Sequence, residues 1–256
     1  MQLLRKLYKK IIPNETRFWL YKLRHRNEME ALKTNVFPSD KGDFSLRRYY
    51  QNKCIFVHVT KAAGTSMALS LFGELPYHYT AQQYRVIYGR HDFNRFFKFT
   101  FVRNPWDRLY SAYCYLNGGG WNEQDMQWAK TNLSKVTDFN DFVMNWLSSE
   151  KLSAHIHLWP QSDFICNRRG QPIINYLGYF ETIQQDFDLI CAHLRVPHTK
   201  LKHTNASKRA GYKDVYSPAA IEKVAQLYQQ DIRNFGYSFD SLQRMKIEGD
   251  KFVPAY

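Results

Sequence analysis

The chain has 256 residues, 44% of them apolar, enough for one domain with a sizeable core, which excludes a disordered polar chain. Thirty-six Lys and Arg against 23 Asp and Glu leave a formal charge of +13, which favours an anionic partner: a nucleotide, a nucleic acid, an acidic glycan or an anionic membrane. No apolar run approaches the ~18 residues of a membrane span, and four scattered cysteines (Cys54, Cys114, Cys166, Cys191) with no C-x-x-C pair predict free thiols rather than a metal knot.

Leu3, Leu4, Leu7, Tyr8 and Ile11 recur at helical spacing opposite Arg5, Lys6, Lys9 and Lys10, which predicts a basic amphipathic helix ended by Pro13. Such a helix fits an anionic membrane surface, a binding partner, or simple packing with a solvated basic face. It lacks the continuous apolar core of a secretory signal, so a reducing compartment is expected. Residues 30–50 read as a polar linker with turns at Pro38, Ser39, Asp40 and Gly42. The division expected is therefore helix and linker over 1–50, a main domain over 51–245 whose core begins near Lys53, and a tail over 246–256.

Cys54 to Val59 predicts a strand. Ala62, Ala63 and Gly64 then let the backbone approach a ligand, Thr65 and Ser66 are placed to cap the next helix, and Gly73 ends it. Thr80 caps a helix from Ala81 to about Tyr88, closed by Gly89. Lys98 to Val102 predicts a second buried strand, followed at once by Arg103, with Asn104 as N-cap and Pro105 opening a helix through Asn117 to Gly118-Gly119-Gly120. Residues 121–159 read as mostly helical, with Phe139, Phe142, Val143 and Trp146 on one face. Ile173 to Phe180 predicts a strand and Thr182 to Leu194 a helix. After a basic loop at 200–215, Ser217-Pro218 opens a terminal helix whose Ile221, Val224, Ala225, Tyr228, Ile232 and Phe235 form a stripe before Gly236.

Strands alternating with helices predict an α/β fold, a P-loop-like three-layer sandwich with a mainly parallel central sheet flanked by helices. Ligands then belong beyond the carboxyl ends of the strands, which puts Lys61 and Arg103 in one mouth. Helix-start N–H groups beside Lys61 make an anion site. The loop departs from the P-loop order G-x-x-x-x-G-K-[ST], because Lys61 precedes Gly64, no glycine lies upstream, and no clear strand-end acid is placed to hold a metal.

KAAGTS at 61–66, followed by FKFTFVRNPWDRLYSAY at 97–113, resembles the paired signatures of sulfotransferases that use 3′-phosphoadenosine 5′-phosphosulfate (PAPS). The resemblance is specifically to the carbohydrate branch that includes the chondroitin and dermatan 4-O-sulfotransferases and many bacterial relatives. PQSDF at 160–164, YFE at 179–181 and DIRNFGYSF at 231–239 extend the resemblance over about residues 53–240. It implies that Lys61, Ala62, Ala63, Gly64, Thr65 and Ser66 bind the 5′-phosphosulfate, Lys61 also stabilising the leaving oxygen. Arg103 and Ser111 would bind the 3′-phosphate, while Ser207, Lys208, Arg209 and Gly211 close over the adenosine side. No metal is expected. The expected acceptor is a hydroxyl of an oligo- or polysaccharide, and no nucleic acid is expected as partner.

Transfer to a hydroxyl needs a base. His78 is the candidate, because its place after the first helix resembles that of the family's catalytic histidine and an imidazole titrates near neutrality. His91 is the rival, and His58 reads as a strand residue facing the cleft or core. Trp106, Asp107, Arg108 and Tyr113 read as structural and Glu181 as a buried structural carboxylate, while His157 and Trp159 fit either the acceptor cleft or the core. A cytoplasmic enzyme, held at the inner membrane face by its basic helix, is the expected setting, with the Golgi lumen as the alternative for a fragment of a eukaryotic chain. A nucleotide-dependent kinase, a nucleic-acid-binding protein and a glycan-binding protein without catalysis are the competing readings.

Overall fold

Three apolar segments build the sheet: Cys54–Val57 (β1), Phe97–Val102 (β2) and Tyr176–Tyr179 (β3). The computed structural model that carries them describes residues 14–24, 26–27, 46–197, 201 and 210–255. The strands lie in the order β1-β2-β3, both pairs parallel, with Phe56 opposite Phe99 and Phe99 opposite Tyr176. Every residue of β1 is buried and so is all of β2 after Phe97, the pattern of a parallel sheet covered on both faces. Lys98 is accommodated in the central strand because its ammonium donates to the carbonyls of Phe93 (2.9 Å) and Phe96 (2.7 Å); burial lowers its pKa to about 8.

The helices flank this sheet, as the α/β reading requires. Asn14–Arg24 (α1) lies against the helix that follows the first crossover: the Phe18 ring meets Tyr79 at 5.6 Å, and Lys22 Nζ donates to the carbonyls of Val86 (2.5 Å) and Ile87 (3.4 Å). The amphipathic helix expected over residues 3–13 lies outside the described residues. Arg47–Asn52 (α2) corrects the linker reading, since Leu46 and Tyr49 are fully buried and the Tyr49 hydroxyl donates to Phe56 O at 2.7 Å. The core therefore starts at Leu46 rather than near Lys53; the RRYYQN composition hides it, because Tyr49 is the helix's one buried residue.

Gly64–Phe72 (α3) ends at Gly73 as expected, and Ala81–Arg95 (α4) opens on a capping box between Thr80 and Gln83. Gly89 kinks α4 instead of closing it: at φ 79° and ψ 164° it breaks the ladder, and helix resumes to Arg95. The Lys22 ammonium sits on the carbonyls just before that break. Pro105–Asn117 (α5) begins as predicted, with Asn104 Oδ1 accepting from Trp106 N at 3.0 Å. Glu123–Asn132 (α6) follows. The rest of 121–159 is less helical than expected, with a turn at Phe139–Asp141 that widens into a π-helix over Phe142–Trp146 and then only 3-10 turns.

Ile183–Leu194 (α7) packs on β3. The single terminal helix expected from its stripe is two, Pro218–Leu227 (α8) and Gln229–Phe235 (α9), broken at Tyr228, whose hydroxyl donates to Leu158 O at 2.7 Å. Residues 246–256, read as a tail, carry most of an antiparallel hairpin, Met245–Glu248 (β4) with Lys251–Pro254 (β5). Met245 N–H donates to the Tyr179 hydroxyl at 2.8 Å, and Arg244 pairs with buried Asp186 at 2.5 Å, which ties the hairpin to β3 and α7. No helix among the described residues is long and apolar enough to cross a membrane.

Candidate active site

Beyond β1 the chain turns through Lys61 (φ 64°) and Ala63 (φ 59°), two non-glycine residues in the left-handed region, a conformation that costs about 1–3 kcal/mol each and marks functional loops. Ala63 stands at the N-cap of α3 with no side-chain cap, so Thr65 and Ser66 occupy the first helical turn rather than capping it. Both line the cleft, and the helix start presents backbone N–H groups suited to an anion. Ala62 turns its side chain into the core, at 1% exposure.

Gly64 is small for a reason the sequence did not reveal. A Cβ on it would lie 1.8 Å from the ring of His58, which fills the space where a side chain would stand. The His58 ring in turn lies 4.1 Å from that of His78. Gly64→Ala is therefore expected to displace both rings, lowering stability by about 1–3 kcal/mol and turnover several-fold. Thermal melting and steady-state rates check this, and a variant equal to wild type in both would show that the contact is dispensable.

Beyond β2, Arg103 is held from every side. Its Nε donates to Asp107 Oδ2 at 2.6 Å, its Nη1 to Lys61 O at 3.2 Å, and its guanidinium lies 4.0 Å over Phe180. The three weaker stretches of the family resemblance converge on this turn. Buried Gln161 accepts from Arg103 N (3.0 Å) and donates to Arg103 O (2.8 Å). Asp231 accepts from the N–H groups of Gln161 and Ser162. Glu181 accepts from Asn104 N (2.9 Å) and from the Tyr237 hydroxyl (2.7 Å), and Asn104 Nδ2 donates to Ser238 O. Glu181 is structural as expected, yet exposed rather than buried. Ser111, further along α5, is buried and faces the same cleft.

On the opposite wall His78 Nδ1 lies 2.9 Å from the carbonyl oxygen of His58. A carbonyl only accepts, so the proton sits on Nδ1 and Nε2 keeps its lone pair. Burial lowers the pKa of His78, with the His58 carbonyl and Asp125 opposing. It also depresses His58, His155 and His157, so the wall is a set of neutral imidazoles. His157 Nδ1 is buried with no hydrogen-bond partner among the described residues. Lys61 Nζ lies 4.1 Å over the ring of Tyr115, whose hydroxyl donates to Asp125 Oδ2 at 2.6 Å; Asp125 Oδ1 meets His155 Nε2 at 3.2 Å.

One cleft of about 1200 Å³ thus gathers Lys61, the 63–66 turn, His78, Arg103, Ser111 and Gly211. That volume is ample for a nucleotide and part of a second substrate. His91 is not among its residues; it is exposed on the second half of α4, 3.2 Å from Arg95 Nη1. Ser207, Lys208 and Arg209 lie outside the described residues. His157 lines the cleft, whereas Trp159 packs on Phe164 at 5.7 Å instead. Sequence reasoning missed Tyr115, Trp121 and Asp125, which line the cleft too. The signal was the glycine triplet: a Cβ on Gly120 would lie 2.2 Å from Asp125 Cβ, so the triplet turns α6 tightly back onto α5 and seats Asp125 under Tyr115. Among the described residues no group of three or more His, Cys, Asp or Glu side chains is arranged to hold a metal ion.

Comparison with known proteins agrees with this geometry. Residues 50–238 match the model of the sulfotransferase family, nearly the span of the paired signatures and their supporting stretches. No curated protein and no solved structure matches the chain. The match runs from α2 to Ser238, whose carbonyl steadies Asn104, and covers well over half of the 256 residues. The chain therefore belongs to the sulfotransferase family and is a transferase of sulfuryl groups.

Proposed function

We propose that the enzyme moves the sulfuryl group from PAPS to a hydroxyl of a carbohydrate, an oligosaccharide or a polysaccharide. The observation that carries this reading is the pairing, in one cleft, of an anion-binding turn at Lys61–Ser66 with a histidine whose proton is fixed on Nδ1. His78 Nε2 accepts the proton of the acceptor hydroxyl as that oxygen bonds to sulfur. The bond from sulfur to the phosphate oxygen breaks, and Lys61 with the N–H groups of α3 stabilises the charge that develops on the departing adenosine 3′,5′-bisphosphate. Arg103, clamped by Asp107, Phe180 and Gln161, and Ser111 hold the 3′-phosphate. An adjoining cavity of about 480 Å³, walled in part by Phe180, Leu201, Tyr212 and Leu242, suits the base. Gly211 borders the cleft where the basic loop would close.

The carbohydrate acceptor is supported by the likeness to the carbohydrate branch and by exposed Trp121 at the cleft, a flat surface of the kind on which sugar rings stack. Incubation with labelled PAPS against a panel of glycans tests the whole reading. Transfer to at least one glycan is expected. Failure to bind adenosine 3′,5′-bisphosphate would sink the donor assignment, and binding without transfer to any glycan would sink the acceptor class. Lys61→Ala is expected to lower turnover about 10²–10³-fold, the usual cost of removing one group that stabilises transition-state charge; a loss below threefold would remove Lys61 from the chemistry.

A further inference from the structure

Helix α1 is built inside out. Phe18 and Lys22, one turn apart, face the protein: Phe18 packs on Tyr79, and the Lys22 ammonium is spent on the carbonyls of Val86 and Ile87. The opposite face carries Trp19, Leu20 and Leu23, exposed at 50%, 37% and 56%. A helix of a water-soluble domain turns its apolar residues inward, whereas here Phe18 turns inward beside Lys22 while Trp19, Leu20 and Leu23 are left to solvent. The stripe is flanked by Arg24 and Arg26, both exposed. In sequence it follows Arg5, Lys6, Lys9 and Lys10, and the first 26 residues hold eight Lys or Arg against Glu15 alone.

We infer that α1 docks the enzyme on an anionic phospholipid surface, with Trp19, Leu20 and Leu23 entering the headgroup boundary and the flanking arginines meeting lipid phosphates. Apolar residues bordered by cations, on one face of a helix too short and too polar to span, are the pattern of an interfacial helix, and charge complementarity selects an anionic bilayer over a neutral one. Phe18 stands on Tyr79, the neighbour of His78, so the lipid-facing helix is anchored beside the base of the cleft. An acceptor carried on a membrane would meet the enzyme on that side.

The test is co-sedimentation of the full 256-residue chain, without donor or acceptor, with phosphatidylcholine vesicles containing about 30% phosphatidylglycerol and with pure phosphatidylcholine. Binding to the anionic vesicles alone is expected, weakened by salt at about 0.5 M. The triple variant Trp19→Ser, Leu20→Ser, Leu23→Ser should bind them at least about tenfold more weakly. Its melting temperature and its affinity for adenosine 3′,5′-bisphosphate should stay at the wild-type values, because none of the three belongs to the core cluster or lines the cleft among the described residues. Equal sedimentation with both vesicle types, or none, overturns the inference. Undiminished binding by the triple variant assigns lipid contact to the segment before Asn14 and overturns it as well. A wild-type dimer in light scattering that the variant converts to monomer would make this face a contact between two copies instead. As no donor is present, each outcome is independent of the catalytic reading.

Discussion

His78→Gln is expected to lower kcat about 10²–10⁴-fold while leaving the affinity for adenosine 3′,5′-bisphosphate within about twofold of wild type. Glutamine fills similar space and its amide can still donate to the His58 carbonyl, so the wall keeps its shape and loses the proposed base. The pH profile separates this role from a structural one. Burial lowers the pKa of His78, so its ring is neutral at pH 7 and kcat/KM should sit on a plateau there, falling only below the ordinary imidazole value of about 6.5. In His78→Gln that acid limb should disappear. A variant within threefold of wild type, or one that keeps the acid limb, would move the base elsewhere, and His157, whose Nδ1 has no partner among the described residues, would be the next candidate. The same shifts govern stability. With pKa values lower in the fold than in the unfolded chain, His58, His78, His155 and His157 leave the unfolded state binding more protons below about pH 6.5; their contribution is complete above that pH and is lost as pH falls. Denaturant midpoints should fall between pH 7.5 and 5.5.

What could be read from the sequence was what neighbours along the chain decide. Asn104-Pro105, Thr80, Ser217-Pro218 and the stops at Gly73 and Gly236 all act within a few residues, and those helix ends fell where they were predicted, whereas Thr65 and Ser66 entered the first turn of α3 instead of capping it. Gly89 shows the limit of that logic, since a left-handed glycine allows a stop but also allows a kink when another residue, here Lys22, supplies a donor to the carbonyls beside the break. At the site, Lys61 and Arg103 were legible because they follow apolar strands directly. The rest depends on contacts across the fold: His58 filling the space beside Gly64, Asp125 folded back under Tyr115, and Gln161 reaching Arg103 from 58 residues away. The three weak stretches of resemblance lie far apart along the sequence, and in the fold they brace a single turn.

Arg108→Met is expected to destabilise the enzyme by about 3–5 kcal/mol, although the residue lines neither cavity of the site. Arg108 is 0% exposed, and among the described residues none of its hydrogen bonds ends on a carboxylate. Its Nε donates to Thr60 O at 2.9 Å, and its Nη2 reaches Thr60 Oγ1 (3.3 Å), His157 O (3.3 Å) and Trp159 O (2.8 Å). One guanidinium therefore joins the residue before Lys61 to the backbone that carries His157, fixing the Lys61 turn against the histidine wall. Burial disfavours the charge, and the more distant Tyr228 and Asp231 oppose that effect. Methionine matches the bulk but leaves three carbonyls without their donor, each a loss of about 1–3 kcal/mol where water cannot enter. At about 2–4 °C per kcal/mol the melting temperature should drop by roughly 10 °C. Arg108→Lys should restore only part of this, because a single ammonium cannot span all three carbonyls. If both variants melt with the wild type, the strut carries no weight. If Arg108→Lys melts normally yet loses turnover, the guanidinium sets the distance between Lys61 and His157 rather than the stability of the fold.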